Sequence, residues 1–112
     1  MLSWLRERAE EVELVTSVCT GSMLLGFAGL LEGRRATTHW RSLELMAQSF
    51  PRTKVIHDQH VVDDGSLISS AGISAGIDMA LWLTGELHGP DFARSVQKAM
   101  EYDPAPPYAG LT

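Results

Sequence analysis

The sequence has a single cysteine, Cys19, so no internal disulfide can staple it. Short secreted chains are commonly disulfide-rich, and the shortage points to a reducing, cytoplasmic setting. Long apolar runs are missing too. The greasiest stretch, Met23 to Leu31, is interrupted by Gly26 and Gly29, well short of the about twenty apolar residues a membrane helix requires. The N-terminal "MLSWLRERAEE" is charged and amphipathic, without an apolar signal-peptide core. Clustered positive charge is equally scarce. The longest basic run is Arg34-Arg35 and the net charge is -5, which disfavours a nucleic-acid surface because phosphate binding needs grouped cations. Neither membrane nor nucleic acid is therefore expected as a partner. What is present, 112 residues with 45% apolar and 21% charged content, suits one modest globular domain.

Apolar periodicity orders the chain. A helix over Leu2–Glu11 follows from Leu2, Leu5 and Ala9 on one stripe, with Arg6, Glu7 and Glu10 outside it. "VELVTSV" (12–18) is β-branched and almost continuously apolar, the pattern of a central parallel strand covered on both faces. Helical spacing takes over from Gly21 to Leu31, with Gly33 as its stop. "RRATTH" predicts a short strand, Trp40 to Phe50 an amphipathic helix ended by Pro51, and "TKVIH" (53–57) a weak strand. "HVVDDGSLISSAG" predicts a hairpin turning at Asp64-Gly65. Ile73 to Leu87 reads as the most apolar helix, its Met, Leu and Trp positions as core packing. Pro90 can open a further helix over 91–102, with Phe92, Val96 and Met100 along one face. Three prolines make "DPAPPYAGLT" (103–112) an extended tail. The alternation of helices and strands points to a three-layer α/β sheet. Few parallel strands remain to flank the buried strand, which predicts an open sheet edge and a missing or borrowed half.

Chemistry concentrates at one junction. Ser17-Val18-Cys19-Thr20-Gly21 lies where strand gives way to helix, in the small-x-nucleophile-x-small frame of the G-x-S-x-G hydrolase elbow. Small residues at both ends leave room for a tight turn. A helix starting at Thr20 would favour a thiolate, and the Thr20 N–H could help hold an oxyanion. On these residues alone Cys19 reads equally as a nucleophile or as a small hydrophobe ending a buried strand.

Three separated stretches, "VCTGSMLLGFAGLLEGRRATTHW", "GISAGIDMAL" and "MEYDPAPPY", resemble the DJ-1/PfpI superfamily and, within it, the isonitrile hydratase (cyclohexyl isocyanide hydratase) branch. The resemblance runs from Val15 to Tyr108. It implies a flavodoxin-like α/β/α sandwich of the class I glutamine amidotransferase-like type. It further implies a catalytic Cys19 working without metal or organic cofactor, and hydration of R–N≡C to an N-substituted formamide, a hydro-lyase reaction. The Cys19-Thr20 pair matches the hydratase branch, where the protease-like branch carries histidine after the cysteine. His39, in "ATTHW", matches a histidine placed near the nucleophile, and reads as well as a helix-start residue packing beside Trp40. Gly21, Gly72, Ile73 and Ser74 match substrate-binding turns, although Gly72 or Ser74 equally reads as a helix cap. The partners implied are a small-molecule substrate and a second copy of the chain, as a homodimer.

Family chains begin with a strand whose acidic residue contacts the elbow cysteine, and later carry a glycine-rich loop that completes the oxyanion hole. These residues include neither, and Glu7, Glu10, Glu11 and Glu13 read as a solvated face. The expectation is therefore that 1–112 is the C-terminal portion of such a domain, weakly active by itself. Ligand-sensing halves of AraC-type regulators and redox-responsive DJ-1-like proteins share the fold and supply the non-enzymatic alternative. Finally, "HDQHVVDD" gathers His57, Asp58, His60, Asp63 and Asp64. Strand alternation sends His57 and His60 to opposite faces, so no metal site is expected.

Overall fold

The apolar stripe near the start forms helix α1 (Leu2–Glu11), with Leu2, Leu5 and Ala9 half-buried and Arg6, Glu7 and Glu10 exposed. Strand β1 (Val15–Val18), α2 (Gly21–Phe27) and β2 (Arg35–Ala36) follow. A 3-10 turn (Trp40–Ser42) runs into α3 (Leu43–Ser49) and then β3 (Lys54–Val55). The hairpin of β4 (Val61–Asp63) and β5 (Leu67–Ser70) precedes α4 (Ala75–His88) and α5 (Pro90–Ala99). The structure, a computed structural model, describes residues 1–103, so the expected tail lies outside the described residues beyond Asp103. The chain divides into two units, Met1–Met79 and the residues from Ala80 onward, with the division inside α4.

In the first unit β5 is the middle strand. β1 pairs with it in parallel, Val15 opposite Leu67 through Val18 opposite Ser70, and β4 pairs with it antiparallel. β2 and β3 form a separate parallel pair. This corrects the reading of 12–18 as a doubly covered central strand. β1 is shorter, among the described residues it has a partner on one side only, and Thr16 and Val18, which share one face, are exposed. The strand with neighbours on both sides is β5, and Leu67, Ile68, Ser69 and Ser70 are all buried. Its two serines look half-polar in sequence, but both hydroxyls are satisfied. Ser70 Oγ donates to Ser17 O at 3.1 Å and Ser69 Oγ accepts from the Thr37 N–H at 2.9 Å.

The hairpin turns at Asp64-Gly65 as the sequence predicts, with Gly65 at φ +83. Two arginines staple this turn to β2. Arg34 Nε donates to Asp64 Oδ2 at 2.7 Å and Arg35 Nε to Oδ1 at 3.1 Å. Their Nη2 atoms reach the carbonyls of Asp64 and Asp63, each at 2.7 Å.

Leu25, Leu31, Ala36, Met46 and Leu67 form the core of this unit, with Met23 and Phe50 packed against it. Helix α2 stops at Phe27 rather than Leu31, because the chain turns through Gly29 at φ +80. Leu31 reaches the core from the turns that follow. The Phe50 ring occupies the space a side chain on Gly26 would need, and meets the Phe27 ring edge-on with centroids 5.2 Å apart.

Helix α4 begins at Ala75, two residues later than expected, which leaves Ile73 82% exposed on the preceding loop. Of the Met, Leu and Trp positions assigned to core packing, Met79 is buried, Leu81 and Leu83 are half-buried, and Trp82 and Leu87 are exposed. In the second unit α5 is shorter than 91–102; Phe92 on it and Met100 just past its end are exposed. There the rings of His88 and Phe92 meet at 5.5 Å across the Gly89 turn. Among the described residues no helix is long and apolar enough to cross a membrane.

Candidate active site

Cys19 sits between the end of β1 and the start of α2 with φ +58, one of two non-glycine residues at positive φ among those described. For a residue with a Cβ, this left-handed region costs roughly 1 kcal/mol or more, and persists only where the surroundings fix it. Here they do. The Cys19 N–H is shared between Ser70 O and Ala71 O, each at 3.1 Å. Its carbonyl accepts from Thr38 Oγ1 at 3.0 Å and from Ser22 Oγ at 3.3 Å. The small residues expected on either side are in place: a Cβ on Gly21 would lie 3.9 Å from Ser17 Cβ, so strand and helix pass in contact.

Thr20 caps α2 in helical geometry and is exposed, as is Val18 on the other side of Cys19. His39 opens the 3-10 turn. Its Nδ1 accepts from the Arg41 N–H at 3.1 Å, and its ring stacks on Trp40 at 5.8 Å. With Nδ1 occupied as an acceptor, the neutral ring carries its proton on Nε2. The opposite ring edge lies over Gly72, where a Cβ would come within 2.8 Å of His39 Cδ2. Gly72 itself follows the Ser70-Ala71 carbonyls that hold Cys19, and its own carbonyl accepts from the Ala75 N–H at 2.7 Å as α4 begins. Cys19, His39 and Gly72 thus gather at the C-terminal ends of β1, β2 and β5. Ile73 and Ser74 are exposed on the loop beyond, and Ser74 O accepts from the Ile77 N–H at 3.1 Å.

Thr38, buried beside His39, was not singled out by the sequence. The only signal is its place, a hydroxyl one residue before the candidate histidine. Within "HDQHVVDD", Asp64 is held by Arg34 and Arg35. The Arg34 hydrogen bond, with help from Arg35 and against the cost of desolvation, holds the Asp64 carboxyl below the usual aspartate range. His60 Nδ1 lies 3.9 Å from Asp78 Oδ2. Among the described residues no group of three or more His, Cys, Asp or Glu is placed to hold a metal ion.

Comparison with known proteins gives this geometry a context. A family model described as the DJ-1/PfpI family matches residues 1–85. The chain is 50% identical over 108 residues to the isonitrile hydratase of Pseudomonas putida, spanning 96% of this chain and 46% of that protein. It is 38% identical over 98 residues to the HTH-type transcriptional regulator CdhR of Pseudomonas aeruginosa, spanning 88% of this chain and 29% of the regulator. A THiJ/PfpI family protein from Pseudomonas syringae superposes with a TM-score of 0.84 at 38% identity, over 96% of this chain and 43% of that one. The chain therefore spans less than half the length of each of these relatives. The fold is the flavodoxin-like α/β fold of these proteins, and the chain belongs to the DJ-1/PfpI family.

Proposed function

We propose that this chain carries the nucleophile elbow of an isonitrile hydratase-type enzyme, with Cys19 as the nucleophile. The observation that supports this best is the left-handed Cys19 backbone at a strand-to-helix junction, in a chain half identical to an isonitrile hydratase. The Cys19 thiolate adds to the terminal carbon of R–N≡C and that carbon takes a proton, giving the thioimidate R–N=CH–S–Cys19. Water then adds to the same carbon, the nitrogen is protonated, and the C–S bond breaks to return the thiol and release R–NH–CHO. The sum consumes one water. Thr20 supplies its hydroxyl and N–H to the developing charge, and His39 delivers a proton from Nε2. Gly21, Gly72, Ile73 and Ser74 border the space for R. The reading includes a cytoplasmic setting, where a lone thiol stays reduced, and a homodimer that covers the open side of β1.

Incubating the purified protein with cyclohexyl isocyanide tests this by mass spectrometry and NMR. A thioimidate adduct on Cys19 and slow formation of N-cyclohexylformamide are expected from the wild type and neither from C19S. Formamide produced equally by C19S sinks the reading. The likeness to CdhR favours a second one, a ligand-sensing module. It predicts saturable small-molecule binding that survives C19S and yields no product.

A further inference from the structure

We propose that Thr38 is a positioning residue for this site, aiming and polarising the Thr20 N–H through the Cys19 carbonyl. The inference rests on the reading of Cys19 as nucleophile. The Cys19 C=O and the Thr20 N–H belong to one planar trans peptide group, so they point in opposite directions. Whatever holds the oxygen therefore aims the N–H. Two hydroxyls hold it. Ser22 Oγ comes from the first turn of α2 and moves with the helix that Thr20 begins. Thr38 Oγ1 comes from a different part of the fold, just after β2, on a residue only 1% exposed.

Thr38 is itself firmly anchored. Its neighbour Thr37 donates its N–H to Ser69 Oγ at 2.9 Å and its hydroxyl to Ile56 O at 2.9 Å. The clamp on the elbow is thus tied to both β5 and the segment after β3. A hydrogen bond accepted by a peptide carbonyl also draws charge out of that peptide, which makes its N–H a stronger donor. Because His39 follows directly, one short segment sets both the N–H that meets negative charge and the imidazole that supplies a proton. A hydroxyl that merely filled space there could be replaced by valine, which has the same shape.

The test compares wild type, T38V, T38S and S22A as full chains, reading iodoacetamide alkylation of Cys19 and the NMR shifts of the Cys19 carbonyl carbon and Thr20 amide nitrogen. T38V is expected to slow alkylation by about twofold to tenfold and to move both shifts. T38S is expected to restore them, and S22A to change them less than T38V. In the wild type the Thr38 hydroxyl proton is expected as a slowly exchanging signal close to the Cys19–Thr20 peptide. The proposal is overturned by T38V behaving as wild type, by T38S as impaired as T38V, or by rapid exchange of that hydroxyl, the last holding even if T38V does not fold. Wild-type Cys19 alkylating no faster than a free thiol would instead count against the nucleophile reading, while the two NMR shifts still test the clamp.

Discussion

Gly72 is not glycine for the sake of its backbone angles, since it is absent from the positive-φ positions. It is glycine because the His39 ring fills the space a side chain would take. G72A would place a Cβ 2.8 Å from Cδ2, and the ring must turn, giving up the Arg41 N–H. Because a side chain can move where a backbone cannot, the stability cost should stay below about 1 kcal/mol, a melting shift of a few degrees. If His39 delivers the proton, isonitrile turnover should fall by about tenfold or more. A displaced ring with undiminished turnover would remove His39 from that role. At this scale the sequence was informative about Cys19, whose small flanking residues are visible as a spacing. It was silent about Thr38, because a threonine's acceptor is chosen by tertiary packing and leaves no local pattern.

Among the elements, the β4–β5 hairpin was legible because Asp64-Gly65 states its own turn chemistry. The burial of all four residues of β5 was less legible, because its serines find partners only once β1 and the Thr37 segment are packed beside it. The same long-range dependence explains β1, whose apolar run signals burial without saying which neighbours supply it. The Arg34–Asp64–Arg35 staple allows a pH prediction. Folding keeps Asp64 ionised to lower pH than in the unfolded chain. Its contribution is fully present above the ordinary value near 3.8 and is lost as pH falls through the lower folded value. D64N should destabilise the wild-type chain by about 1–2 kcal/mol at neutral pH. The gap between the two should narrow in denaturation curves taken below that value. A gap independent of pH would mean that the carboxylate charge is not what staples the turn.

For the whole molecule the consequence is an unsatisfied boundary. Among the described residues β1 offers one side of its backbone to no strand, with Thr16 and Val18 exposed beside a Ser17 Oγ that is buried without a hydrogen-bond partner. Exposed edges are templates for further pairing, and lysine on an edge blunts them. Sedimentation should show the average mass rising with concentration, and T16K should weaken that association by about tenfold. Monomers at every concentration for both proteins would dispose of the homodimer. The α/β class and the order of elements were readable from alternating periodicities, whereas the sheet order was not, since pairing joins residues as far apart as Val15 and Leu67. Inside the same unit, Phe50 sits where a side chain on Gly26 would stand. The two positions are coupled: an alanine at 26 requires the Phe50 ring to shift, and a smaller residue at 50 leaves a void beneath α2. Each residue thus sets the room available to the other.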